Sequence, residues 1–141
     1  MRKKFLAVLM LLTMILTGCG GDDYATVFTE VNTVEGVTLT LIEDTLRPSK
    51  GTFIIANNSD KDVEFDPIEF HLEKKNRDGV WEENIGTRVS DWKRETTETI
   101  PAGTSIEKKV DWKGLCGTIT GGEYRVILIV NEQPIACEIS K

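Results

Sequence analysis

From Gly36 to the C-terminus, apolar residues of the 141-residue chain recur at every second position in short runs. Turn residues punctuate these runs about every ten positions, the signature of half-buried strands joined by tight connections. Val37, Leu39 and Leu41 share one phase and Thr38 and Thr40 the other. After Pro48-Ser49-Lys50-Gly51 the run Thr52-Phe53-Ile54-Ile55-Ala56 is continuously apolar, which predicts a strand covered on both sides, and Asn57-Asn58-Ser59-Asp60 supplies a turn behind it. Ile68, Phe70 and Leu72 alternate with Glu69, His71 and Glu73, so the first three are expected inside and His71 facing water. Asp78-Gly79 tolerates the positive φ of a tight turn and predicts a hairpin into Val80-Trp81-Glu82.

Residues 84 to 99 are charged and poorly periodic, with short edge strands expected near Arg88-Val89 and Thr97 to Ile100. Ile106, Val110 and Trp112 define a further strand after Pro101-Ala102-Gly103, with Trp112 in the core. Tyr124, Val126, Leu128 and Val130 oppose Arg125, Ile127 and Ile129, so both faces of that strand are largely apolar and it is expected to be central. Ile135, Cys137 and Ile139 belong to the last strand. About seven strands without a convincing helix predict an all-β fold, an antiparallel sandwich.

The first 18 residues are of another kind. Arg2, Lys3 and Lys4 precede an apolar run from Phe5 to Leu16 broken only by Thr13, the charged and hydrophobic regions of a secretory signal. The run is short for a bilayer span. Leu16-Thr17-Gly18-Cys19 resembles the bacterial lipobox, whose cysteine is diacylated on sulfur before the preceding peptide is cut away. That resemblance implies Cys19 as lipidated N-terminus, with the protein at the cell membrane on its extracytoplasmic face. The alternative is an ordinary secretory signal with an incidental cysteine. Cleavage there removes three basic residues and no acid, taking the formal charge from −6 to −9. So acidic a surface repels nucleic acid and does not lie flat on anionic lipid. Two acyl chains hold stably without a basic patch, so lipid serves as the anchor.

Three regions follow: a lipoprotein signal peptide over 1–18, a lipidated N-terminus and flexible tether over 19–35, and one domain over 36–141, the polar stretch from Gly20 to Glu35 showing no periodicity. Fully stretched, such a tether reaches roughly 55 Å and leaves the domain standing away from the bilayer.

Gly122-Glu123-Tyr124-Arg125-Val126 resembles the tyrosine corner of immunoglobulin-like folds, a turn glycine and a tyrosine opening the penultimate strand. With Val37-Thr38-Leu39, Asn57 to Lys61, Leu72 to Lys75, Asp78 to Trp81, Ile100 to Gly103 and Val110 to Trp112, the chain from Val37 onward resembles bacterial immunoglobulin-like domains of secreted and lipid-anchored surface proteins. The resemblance implies an immunoglobulin-like sandwich and brings no catalytic or ligand residues with it.

With Cys19 acylated, Cys116 and Cys137 are the remaining thiols, in a compartment where disulfides persist. They either form a bridge closing a loop of about 20 residues, a gain of roughly 3 kcal/mol, or remain two small buried hydrophobes. A cysteine nucleophile needs a nearby base, and His71, the single histidine, is expected on a solvated face. Asn57 to Asp62 lacks the spacing of a cation loop and reads as a polar turn, so no metal and no cofactor are expected. Trp81 beside the hairpin and Trp92 in Asp91-Trp92-Lys93-Arg94 are candidate binding platforms, or else cover the end of the sandwich. The reading that results is a non-catalytic adaptor joined to the membrane by its lipid and meeting an envelope protein or glycan. An enzyme, an inhibitor inserting the 84–99 segment, and a structural stalk are the alternatives.

Overall fold

A computed structural model describes residues 25–83 and 97–141, with only the backbone of Cys116. Two antiparallel sheets pack face to face. The smaller has the order β1-β2-β6, from Val37–Leu41 (β1), Lys50–Asn57 (β2) and Ser105–Asp111 (β6). The larger runs β4-β3-β7-β8, from Trp81–Glu83 (β4), Val63–Lys75 (β3), Glu123–Val130 (β7) and Gln133–Ser140 (β8), and Glu98–Ile100 (β5) also pairs with β3. A 3-10 turn over Glu43–Thr45 and a single helical turn, α1 (Lys113–Cys116), are the helical pieces among the described residues. The all-β immunoglobulin-like sandwich expected from the alternation is the fold observed, with eight described strands.

The core lies between the sheets. Leu39, Phe53 and Ile55 of the small sheet meet Leu72, Val126, Leu128 and Ile135 of the large one, and Trp112 is fully enclosed, its indole N–H donating to the Pro48 carbonyl at 2.9 Å. The Thr52 to Ala56 run is not covered on both sides as expected. Phe53 and Ile55 are buried but Ile54 is half-exposed, because β2 is central in a sheet whose outer face is open to solvent. β7 does have both faces buried, between β3 and β8.

At the hairpin of β3 and β4, Asn76 Oδ1 accepts from the N–H groups of Asp78 and Val80, both at 2.9 Å, and Gly79 takes φ 78°. The turn between β7 and β8 uses only Asn131 and Glu132, both at positive φ, the two-residue geometry matched to strand twist, so Pro134 already lies within β8 opposite Ile129. Tyr124 makes the expected corner, its hydroxyl accepting from Thr120 N–H at 3.3 Å.

One register break changes the inside of β3. The pairing with β7 slips between Phe65 and Phe70, where Asp66 Oδ1 accepts from the N–H groups of Ile68 (2.8 Å) and Glu69 (2.9 Å). From Phe65 to Phe70 β3 advances five residues while β7 advances two, and the odd excess of three flips the phase. Ile68, expected inside, is 66% exposed.

Candidate functional site

The outer face of the large sheet carries a buried polar layer. Register places Glu83, Glu73, Arg125 and Glu138 side by side across β4, β3, β7 and β8. Glu73 is fully buried and Arg125 nearly so. Both Nε (2.6 Å) and a terminal nitrogen (2.5 Å) of Arg125 meet the same oxygen of Glu73, Oε1, so Oε2 is left buried without a hydrogen-bond partner. Two strand residues along, His71 Nε2 lies 2.9 Å from Glu69 Oε1 and its Nδ1 lies 2.9 Å from Glu83 Oε1. For both contacts to be hydrogen bonds, either the ring carries two N–H groups or one carboxyl carries a proton.

His71 is thus not on a solvated face, which corrects the expectation from its phase, and Glu73 is likewise inside. What covers them is the segment read as a tether. Ala25 bridges to Glu82, Thr26 N–H donates to the Trp81 carbonyl at 3.1 Å, Asn32 N–H donates to Pro134 at 2.9 Å, and Ala136 N–H donates to Asn32 Oδ1 at 2.8 Å. Arg125 reaches up to Thr26 Oγ1 (3.2 Å) and the Phe28 carbonyl (3.3 Å), and the Phe28 ring meets His71 edge-on at 4.8 Å. From Ala25 onward, then, the chain is a strap fastened across the sheet, where a flexible tether was expected over 19–35. Backbone and side-chain caps hold it, which is why it has no hydrophobic period.

Trp81 belongs to this layer. Its ring lies 4.7 Å from the Arg125 guanidinium and 5.3 Å from Lys75 Nζ, and it is half-buried, so it covers the ion pair more than it offers a free platform. Trp92 and Cys19 lie outside the described residues, as do Arg88 and Val89. Cys137 packs on the core side of β8 with a free, half-buried thiol. Burial pushes the Cys137 thiol up, as do the charges of Glu43 and Glu138, against a backbone bond at Leu41 that lowers it. His71 is on the opposite face of the same sheet, so the two do not form a nucleophile and base pair.

Two open concavities lie away from this layer. One of ≈ 590 Å³ is lined by Val34 to Gly36, Asn58 to Lys61, Val63 and Asn131, and one of ≈ 470 Å³ by Glu64, Asp66, Thr97, Ile129, Asn131 and Glu132. Asn57, fully buried, organises the first rim as the polar turn expected: its Nδ2 donates to the carbonyls of Lys61 (2.8 Å) and Ile100 (3.0 Å), and its Oδ1 accepts from Ser59 N (3.1 Å) and Oγ (2.6 Å). Among the described residues no three metal-ligating side chains converge.

Fold, corner and sealed polar layer define a β-sandwich module of immunoglobulin type. The chain belongs to the bacterial Ig-like domain family, whose model matches residues 33–139. Domains of this family are typically non-enzymatic and generally extracellular or at the cell surface. No curated protein matches the chain. Among the described residues, no helix is long and apolar enough to cross a membrane.

Proposed function

We propose that the protein is a lipid-anchored module of the cell envelope, attached through a diacylglyceryl group on Cys19, whose Ig-like domain serves as a non-catalytic adaptor for an envelope protein or glycan. The observation that carries this reading is the order of parts: a basic start, an apolar run and Leu16-Thr17-Gly18-Cys19, followed directly by a domain of a surface-type family. The adaptor half is supported by chemistry too, since the titratable side chains of the strapped layer are engaged with one another under a cover, while the concavity beside the Asn58 to Lys61 turn is open and mainly polar.

Radiolabelled palmitate should enter the wild-type protein in cells and fail to enter Cys19→Ser. Labelling that persists in the variant, or never appears in wild type, refutes the anchor. Immobilised full-length protein should retain a specific envelope protein or glycan from membrane extract. Retention of nothing refutes the adaptor.

A further inference from the structure

The strap changes the distance between anchor and domain. If Cys19 holds the lipid, six residue steps separate it from Ala25, which is already fastened to β4, and at full extension they span only about 20 Å. β3 alone, at 13 residues, is about 40 Å long. The end of the sandwich where the strap begins is therefore confined near the bilayer, and the opposite end is held away from it.

The two ends differ in charge and in exposed apolar surface. At the strap end, formed by the β3–β4 turn and the start of β7, Lys74, Lys75 and Arg77 stand against Asp78, Glu82 and Glu123. The small sheet finishes at this end with Arg47, Lys50 and Lys113 against Glu43, Asp44 and Asp111. The end is balanced. At the far end, among the described residues, Glu35, Asp60, Asp62 and Glu64 are gathered around Lys61. Of the four exposed large hydrophobics among the described residues, Val80, Val27 and Leu115 are at the strap end, and only Ile68 is mid-sheet. Trp81, with Lys75 over its ring, adds the indole and ammonium pairing that suits a lipid–water interface.

We infer that the domain sits end-on against the lipid surface through the β3–β4 hairpin tip, Arg77, Val80 and Trp81, with Lys74 and Lys75 on headgroup phosphates and the acidic end directed outward. The placement rests on the lipid-anchor reading above. A negative headgroup layer acts over about one Debye length, roughly 8 to 10 Å, so it repels the acidic end and accepts the balanced one. The net acidity that forbids a flat pose is thus compatible with an upright one.

Full-length acylated protein, bound to vesicles of phosphatidylcholine with phosphatidylglycerol as the minority lipid, is treated with a membrane-impermeant amine-acetylating reagent and each lysine read by mass spectrometry. The Cys19→Ser protein with the same vesicles is the reference. Lys74, Lys75 and Lys141, whose backbone pairs with Gly122 at the start of β7, should lose labelling several-fold on anchoring while Lys61 does not change. Arg77→Glu with Val80→Glu, both exposed positions that leave the core intact, should restore labelling of Lys75 in protein that still floats with the vesicles. Anchored protein labelled equally at Lys75 and Lys61, or protected equally in the double variant, overturns the placement alone. Absence of the diacylglyceryl mass on the peptide beginning at Cys19 overturns the anchor, and the placement with it.

Discussion

Replacing either member of the Glu73–Arg125 pair removes one partner from an ion pair that is almost wholly out of water. Glu73→Met leaves a buried guanidinium whose remaining partners are Thr26 Oγ1, the Phe28 carbonyl and the Trp81 ring, and Arg125→Met leaves a buried carboxylate with nothing to balance it. Each should cost about 3–5 kcal/mol, a large part of the roughly 5–15 kcal/mol total for a domain of this kind. The double substitution should lie within about 2 kcal/mol of wild type, because two apolar side chains of similar volume need no desolvation of charge. Glu73→Gln should be milder than Glu73→Met, since only Oε1 is used by the arginine and Oε2 has no bond to lose. Urea unfolding followed by tryptophan emission is the assay, and with a slope of about 1–3 kcal/mol per molar the single variants should shift the midpoint by a molar or more. Single costs below about 1 kcal/mol, the range of exposed pairs, or a double variant equal to the sum of the singles, would refute the claim that strap and sheet seal this pair.

Three further outcomes follow from the same geometry. In the fold the Cys137 thiol holds its proton into a pH range where the unfolded chain's thiol has lost it, so the native state binds more protons there. Stability should therefore be full below the ordinary thiol range and fall as pH rises through it, a slope that Cys137→Val should flatten in pH-dependent melting curves. Gly36 sits at φ +75° with an added Cβ only 3.0 Å from Ser59, so Gly36→Ala should cost about 1–2 kcal/mol in urea unfolding, whereas Gly114→Ala, which meets nothing, should be nearly neutral. Trp112→Phe should cost only about 1–3 kcal/mol by the same assay, because the Pro48 carbonyl it would abandon also accepts from Ile119 N–H at 2.8 Å and is not orphaned.

The strands whose two faces differ sharply were legible from residues alone. Val37 to Leu41, Ser105 to Trp112 and the hairpin at Asp78-Gly79 lie where period and turn chemistry put them. The polar layer was not, because Glu69, His71 and Glu73 alternate with Phe70 and Leu72 in the same way as a solvent-facing row would. Period two reports polarity, and a paired charge inside reads like an exposed one. A hint was present on the partner strand: Arg125 shares its phase with Ile127 and Ile129, and an arginine on an apolar face calls for a carboxylate at its register position. That partner, Glu73, is 52 residues away in the chain, so only the sheet pairing reveals it. Ile68 failed for a local reason, the bulge at Asp66.

The strap shows why the covered face is charged at all. An apolar outer face on β3 and β7 would demand a hydrophobic cover, and residues 25 to 34 supply Ala25, Val27, Phe28, Val31 and Val34 among polar neighbours. A face built from Glu73, Arg125 and His71 instead accepts a cover made of the Phe28 carbonyl and the Thr26 hydroxyl, both bonded to Arg125, and the Phe28 ring packed against His71. Such a contact is specific in register but modest in energy, since exchanging water for a protein partner gains only about 1 kcal/mol per bond. The length of free chain between the proposed anchor and the domain is therefore set by a handful of polar contacts rather than by the core. The same contacts that hide the ion pair hold the hairpin tip close to the proposed anchor.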